Sequence, residues 1–167
     1  MRQDAAQAIA IGRIQRLMIA HGLLILLIGL FAGTGLLISL IGGFELWPGK
    51  IISIGVPATS DAWVRLHLGQ LLNAFLIVLA ALCFPVLDLD LRSAKRIAWM
   101  LVGTGWANTI FYLAALFAPN RALTLGDNRF GEANLASVIG LVPALLFSFI
   151  SIVAVVMLAK QALRRVV

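Results

Sequence analysis

The sequence holds one cysteine, two histidines, one tyrosine and seven acidic residues among 167 positions. A lone cysteine excludes an intrachain disulfide framework, and Cys83, inside an apolar run, reads as a small buried hydrophobe. No Asp or Glu falls within the long apolar runs, which argues against a proton-relay transporter. Gly-x-Ser-x-Gly, a phosphate-binding glycine loop and His-Glu-x-x-His are all missing, and three common catalytic classes go with them. Charged residues make up only 12% of the chain, about half the usual share. What is abundant is apolar: 62% hydrophobic residues and a mean hydropathy of +1.03. A soluble domain of this length leaves roughly a third of its unfolded surface exposed and has nowhere to hide so much apolar area. The composition is that of an integral membrane protein, a single transmembrane domain over 1–167. The net charge of +6 implies no nucleic-acid partner, because the basic residues cluster around the ends of the apolar runs, as topology in a lipid bilayer requires.

Four runs, at about 16–40, 62–87, 97–118 and 135–159, are long enough to cross roughly 30 Å of hydrocarbon as helices. They lack the alternation of barrel strands, so the expected fold is all-α, a membrane four-helix bundle. The first run is too long for a signal h-region and is followed by Gly42-Gly43-Phe44-Glu45 instead of a cleavage site, so it reads as a retained helix. Arg2, Arg13, Arg16, Arg92, Lys95, Arg96, Lys160, Arg164 and Arg165 flank one side of the four spans. Lys50, Arg65, Arg121 and Arg129 mark the other. That asymmetry predicts both termini in the cytoplasm. The connections at about 41–61 and 119–134 then face outward, and their Gly, Pro and Asn positions suit ordered caps or a lid over a site in the outer half. The spacing Gly29-x-x-x-Gly33 marks a possible close helix contact.

A polar side chain inside hydrocarbon asks for a reason. The second span carries Arg65 and a stripe of His67, Gln70 and Asn73; the third carries Thr104, Asn108 and Tyr112. Counted from the outer ends, His67 lies roughly 8 Å deep and Tyr112 about 9 Å, while Asn73 and Asn108 lie at roughly 16 and 15 Å. The stripes are therefore expected to face each other, either as a ligand site or as interhelical hydrogen bonding. His21, near the opposite end of span one, reads as an interfacial histidine. Some 15 Å of depth separates His21 from His67, whereas two axial nitrogens on one iron lie about 4 Å apart. A metal here would have one histidine and an open position, which suits Lewis-acid chemistry better than electron transfer.

Five blocks then combine: His21-Gly22; Gly42-Gly43-Phe44-Glu45 with Pro48-Gly49; Trp63-x-Arg65-x-His67-x-Gly69-x-x-x-Asn73; Gly105-Trp106-Ala107-Asn108-x-x-Phe111-Tyr112-Leu113; and Pro119-Asn120-Arg121-x-Leu123-Thr124-x-Gly126-x-Asn128-x-Phe130-Gly131. In order and spacing the chain resembles the bacterial styrene oxide isomerases, multi-pass enzymes of the cytoplasmic membrane. The resemblance implies a homotrimer carrying ferric haem b near subunit interfaces, with His67 as the axial metal ligand. It implies that a small apolar aryl epoxide is isomerised to an aldehyde by a 1,2-hydride shift, with Tyr112 and Asn73 positioning and polarising the epoxide oxygen. Arg65 and Arg121, near the outer face, are candidates for the haem propionates. Thr104 stands where the family pattern has an acidic residue, a departure expected to alter rate or substrate range. A non-catalytic membrane haem-binding protein and a haem-free membrane subunit are the alternatives the residues leave open.

Overall fold

Long apolar runs in hydrocarbon leave the backbone no hydrogen-bond partner but itself, and each such run here becomes a helix. The computed structural model describes residues Arg2–Arg164, with side chains from Ala5 onward. Its helices are α1 (Arg2–Ile41), α2 (Ser60–Leu87), α3 (Leu91–Ala115) and α4 (Leu135–Leu163). All four are long and apolar enough to cross a membrane. Of the basic residues that flank the terminal side, Arg165 and the side chain of Arg2 lie outside the described residues.

Two helices start earlier than their apolar runs. Alanine-rich sequence ahead of Arg13 carries α1 back to Arg2. α3 begins at Leu91 because Asp90 caps it: Oδ1 accepts from the amides of Arg92 (2.9 Å) and Ser93 (3.0 Å), and Oδ2 from the Ser93 hydroxyl (2.7 Å). The Ser93 hydroxyl, more than the capped amides, holds the Asp90 carboxyl below its ordinary range. The cap is therefore intact at neutral pH and is lost only as pH falls through that lowered value.

Neighbouring helices run antiparallel. Ser60 Oγ donates to Ser39 O (3.2 Å), tying the start of α2 to the end of α1. Gln161 Nε2 donates to Leu87 O (3.1 Å), bringing together the far ends of α4 and α2. Both long connections consequently share one end of the bundle. The all-α expectation needs one correction there: the first connection contains an antiparallel hairpin, β1 (Gly43–Trp47) and β2 (Lys50–Ser53). Phe44, Trp47, Ile51 and Ile52 are strand formers, and Pro48-Gly49 turns the chain with Gly49 at φ +79°.

Met18, Ile25, Ile77, Phe84, Ile97 and Leu101 are buried at the centre of α1–α3. α4 packs on α3 and buries only a stripe of Ser137, Gly140, Ala144 and Ala154. Its other faces carry exposed Leu, Val, Ile and Phe side chains. Cys83 corrects the sequence reading: it is exposed on the outer surface of α2, not buried. Between apolar helices in an apolar solvent, association depends on close van der Waals contact, and small residues permit it. A Cβ at Gly33 would lie 3.0 Å from the His67 ring and one at Gly29 3.0 Å from Gln70 Cβ, so the Gly29/Gly33 pair is the α1–α2 contact its spacing suggested. At Gly35 the Trp63 indole fills the place a side chain would take. Gly35→Leu is expected to cost about 1–3 kcal/mol by overpacking, read as a fall of several degrees in the melting temperature of detergent-solubilised protein. An unchanged melting temperature would mean that α1 and α2 are not held this closely.

Candidate active site

Polar side chains on α2 and α3 meet along one seam. Gln70 is fully buried, and its Oε1 accepts from Thr109 Oγ1 (3.0 Å), which also lies 2.8 Å from Gly105 O. One turn further along α2, Asn73 Oδ1 accepts from Asn108 Nδ2 (2.8 Å), while Asn73 Nδ2 donates to Gly69 O (2.6 Å). The expected levelling of Asn73 with Asn108 is therefore met by a direct hydrogen bond. Tyr112, one turn beyond Asn108 on α3, lays its ring on Gly69, where any Cβ would collide with it. Gly69 is what lets the phenol approach α2.

Outside this seam is an apolar groove of about 370 Å³ lined by Leu68, Gly69, Leu72, Phe111 and Tyr112, with Arg65 and Arg121 at its mouth. A second cavity of about 330 Å³ lies beyond, under Pro119 and Phe130, and shares Arg65 and Arg121 with the groove. Both guanidiniums point at one carboxylate: Asp61 Oδ2 is 3.1 Å from Arg121 Nη1 and 3.7 Å from Arg65 Nε. Arg65 Nε is buried with no hydrogen-bond partner among the described residues. Arg121 also stacks over the Phe130 ring at 4.0 Å. The mouth thus keeps an excess of positive charge and an unused N–H donor, a setting that attracts an anionic group.

His67 departs from the facing-stripe expectation. Its ring sits against Gly33 of α1, and its Nδ1 is 2.7 Å from Gly29 O. Two residues along an α-helix turn through about 200°, so His67 and the Tyr112-bearing Gly69 occupy different faces of α2. A single chain does not bring the imidazole and the phenol to one side of this helix.

The geometry of His67 fits the axial role. A carbonyl oxygen only accepts, so Nδ1 carries the hydrogen and Nε2 of the neutral ring keeps its lone pair. Orientation of a ligating imidazole by a backbone carbonyl is the usual arrangement behind a metal-bound histidine. No cluster of three or more His, Cys, Asp or Glu side chains suited to a metal ion occurs among the described residues. A metal held by His67 must then bring most of its own ligands, as a porphyrin does. His21 is not a second ligand: its Nδ1 accepts from Trp106 Nε1 (3.0 Å), with the two rings edge to face. Thr104 points away from the seam, its hydroxyl directed at Met100 O (2.7 Å) and Phe147 O of α4 (3.3 Å).

Asp61, Gly69 and Phe130 complete the site, and none stood out as a functional residue in the sequence. Asp61 and Arg65, four residues apart, carried a usable i,i+4 signal; the contacts of Gly69 and Phe130 cross between elements and had none.

Comparison with known proteins gives the family. The profile of the family described as Styrene oxide isomerase matches residues 14–163. A styrene-oxide isomerase of Pseudomonas fluorescens is 36% identical over 152 residues, covering 91% of this chain and 90% of that protein. The matched range spans α2, α3 and the loop that carries Arg121, and with it the chain belongs to the styrene oxide isomerase family and is an isomerase.

Proposed function

We propose that this isomerase converts styrene oxide-like aryl epoxides to aldehydes, with ferric haem b held by His67, as a homotrimer in the bacterial cytoplasmic membrane. The observation that carries the reading is the His67 imidazole, whose Nδ1–H is committed to Gly29 O and whose Nε2 is left as a ligand. When bound, the ferric haem supplies a Lewis-acidic position for the epoxide oxygen. Arg65 and Arg121, two guanidiniums sharing the single carboxylate of Asp61, suit the propionates.

The chain's own groups perform the remaining work. Tyr112 points its phenol into the groove, where the O–H donates to the epoxide oxygen as the benzylic C–O bond breaks and negative charge develops on that oxygen. Asn73 lies in the seam beside the groove, and the amide hydrogen left after bonding Gly69 O is the second donor we assign to that oxygen. Hydride then migrates from the oxygen-bearing carbon to the benzylic carbon as the carbonyl forms. Atoms and electrons balance with no water and no redox partner. Leu68, Leu72 and Phe111 line the groove with apolar surface, which accepts an aryl ring and keeps out the water that would divert the cation to a diol.

The placement of His67 and Tyr112 on different faces of α2 supports a site completed between copies, His67 from one subunit and Tyr112 from the next. Such a contact is heterologous and closes into a ring, as a trimer requires.

His67→Ala is expected to abolish both the Soret band and epoxide isomerisation in purified protein; retention of both refutes the axial assignment. Tyr112→Phe should keep the Soret band and lower kcat by about 10²–10³, the loss typical of one donor to a developing oxyanion. Co-expression of His67→Ala with Tyr112→Phe chains separates the two assemblies. If each site draws on two subunits, random mixing restores about a quarter of wild-type activity. Activity no higher than that of the separate variants would place both groups in one chain.

A further inference from the structure

The loop that delivers Arg121 has a backbone its sequence does not favour. Arg121 (φ 62°) and Ala122 (φ 54°) are consecutive residues in the left-handed region, where glycine is the usual occupant. An arginine kept in such a conformation points to a need for its side chain, since strained backbone persists only where its surroundings over-determine it. Hydrogen bonds from Arg121 N to Ala118 O (2.8 Å) and from Asn128 Nδ2 to Asn120 O (3.0 Å) frame the turn, and one side chain spans it. Asn120 is fully buried and makes every hydrogen bond an amide can make. Its Oδ1 accepts from Ala122 N (3.0 Å) and Ser137 Oγ (2.6 Å), and its Nδ2 donates to Thr124 O (2.9 Å) and Gly126 O (3.0 Å). Ser137 belongs to the first turn of α4, so the loop is fastened to that helix through Asn120.

We infer that Asn120 is a positioning residue: it locks the left-handed Arg121-Ala122 turn so that the Arg121 guanidinium sits where the outer cavity meets the α2–α3 groove. Asn120 itself lines neither space, whereas Arg121 lines both. The guanidinium is fixed at its far end by Asp61 (3.1 Å) and the Phe130 ring (4.0 Å). Both contacts depend on the direction in which the turn launches the side chain. Released from Asn120, the turn relaxes to ordinary backbone angles and Arg121 swings away from Asp61. The effect falls on the hold of the anionic group at the mouth, because Arg121 stands there and not beside Tyr112. The inference rests on the reading of that mouth as the place of the haem propionates.

The test uses the full-length enzyme in detergent and four variants: Asn120→Ala, Ser137→Ala, Arg121→Ala and the Asn120→Ala/Arg121→Ala double variant. The first readout is independent of turnover: the rate at which phenylglyoxal modifies Arg121, resolved by mass spectrometry. Asn120→Ala should speed that modification several-fold and lower haem retention, read as Soret absorbance per protein after gel filtration, about as far as Arg121→Ala does. The double variant should be no worse than Arg121→Ala alone, because the first residue acts through the second. Ser137→Ala, which removes one of the four bonds, should show the same pattern at smaller size, and it decides the matter if Asn120→Ala does not fold. Unchanged Arg121 reactivity, or losses that multiply in the double variant, would overturn the inference and leave Asn120 a fold residue only. If Asn120→Ala frees Arg121 while Arg121→Ala keeps wild-type haem retention, the positioning stands and the reading of the mouth as the propionate site falls.

Discussion

The carbonyl of Gly29 can only accept a hydrogen bond, and it lies 2.7 Å from His67 Nδ1. That one contact decides which ring nitrogen carries hydrogen and leaves the other with its lone pair. It exists because residue 33, one turn along α1, has no side chain: a Cβ there would press on the imidazole at 3.0 Å. The tight approach of α1 to α2 and the chemical state of the only histidine at the loop end of the bundle therefore have one cause. Loosening the helix contact removes the orientation of the ring as well as the packing.

The α2–α3 seam follows a related logic with different groups. Gly69 admits the Tyr112 ring, Asn73 pairs with Asn108, and Gln70 Oε1 accepts from Thr109 where water is scarce, while Gln70 Nε2 is buried with no hydrogen-bond partner among the described residues. The charged groups stay at the rim, where Asp61 gathers two arginines in contact with the outer cavity. Burial depth thus sorts the polar residues by role: neutral amides and hydroxyls in the seam, ions at its mouth. The outward faces of α2 and α4 remain apolar, as a helix facing lipid or another copy must be.

Much of this was legible residue by residue. Hydropathy and run length placed four helices, and i,i+3 and i,i+4 spacing aligned Asn73 with Asn108. Asp90 escaped because a cap outside the apolar run extends α3 without changing its hydropathy. The hairpin escaped because its strands are short and lie inside what reads as a turn-rich connection. Cys83 was misread because an apolar neighbourhood in a membrane helix does not separate the lipid-facing side from the packed one. The direction of His67 could not be read either, since it depends on which neighbour each face of α2 meets.

The sequence by itself determined the number of long apolar helices and the order of the polar groups along each, because hydrocarbon thickness and helical rise convert position into distance along a span with no knowledge of the neighbours. Only the tertiary structure decided that His67 turns to α1 while Tyr112 turns to α2, and that Arg121 leaves a left-handed turn toward Asp61. Rotation about a helix axis and the launch angle of a loop are set by contacts distant in sequence, and local periodicity carries no record of those.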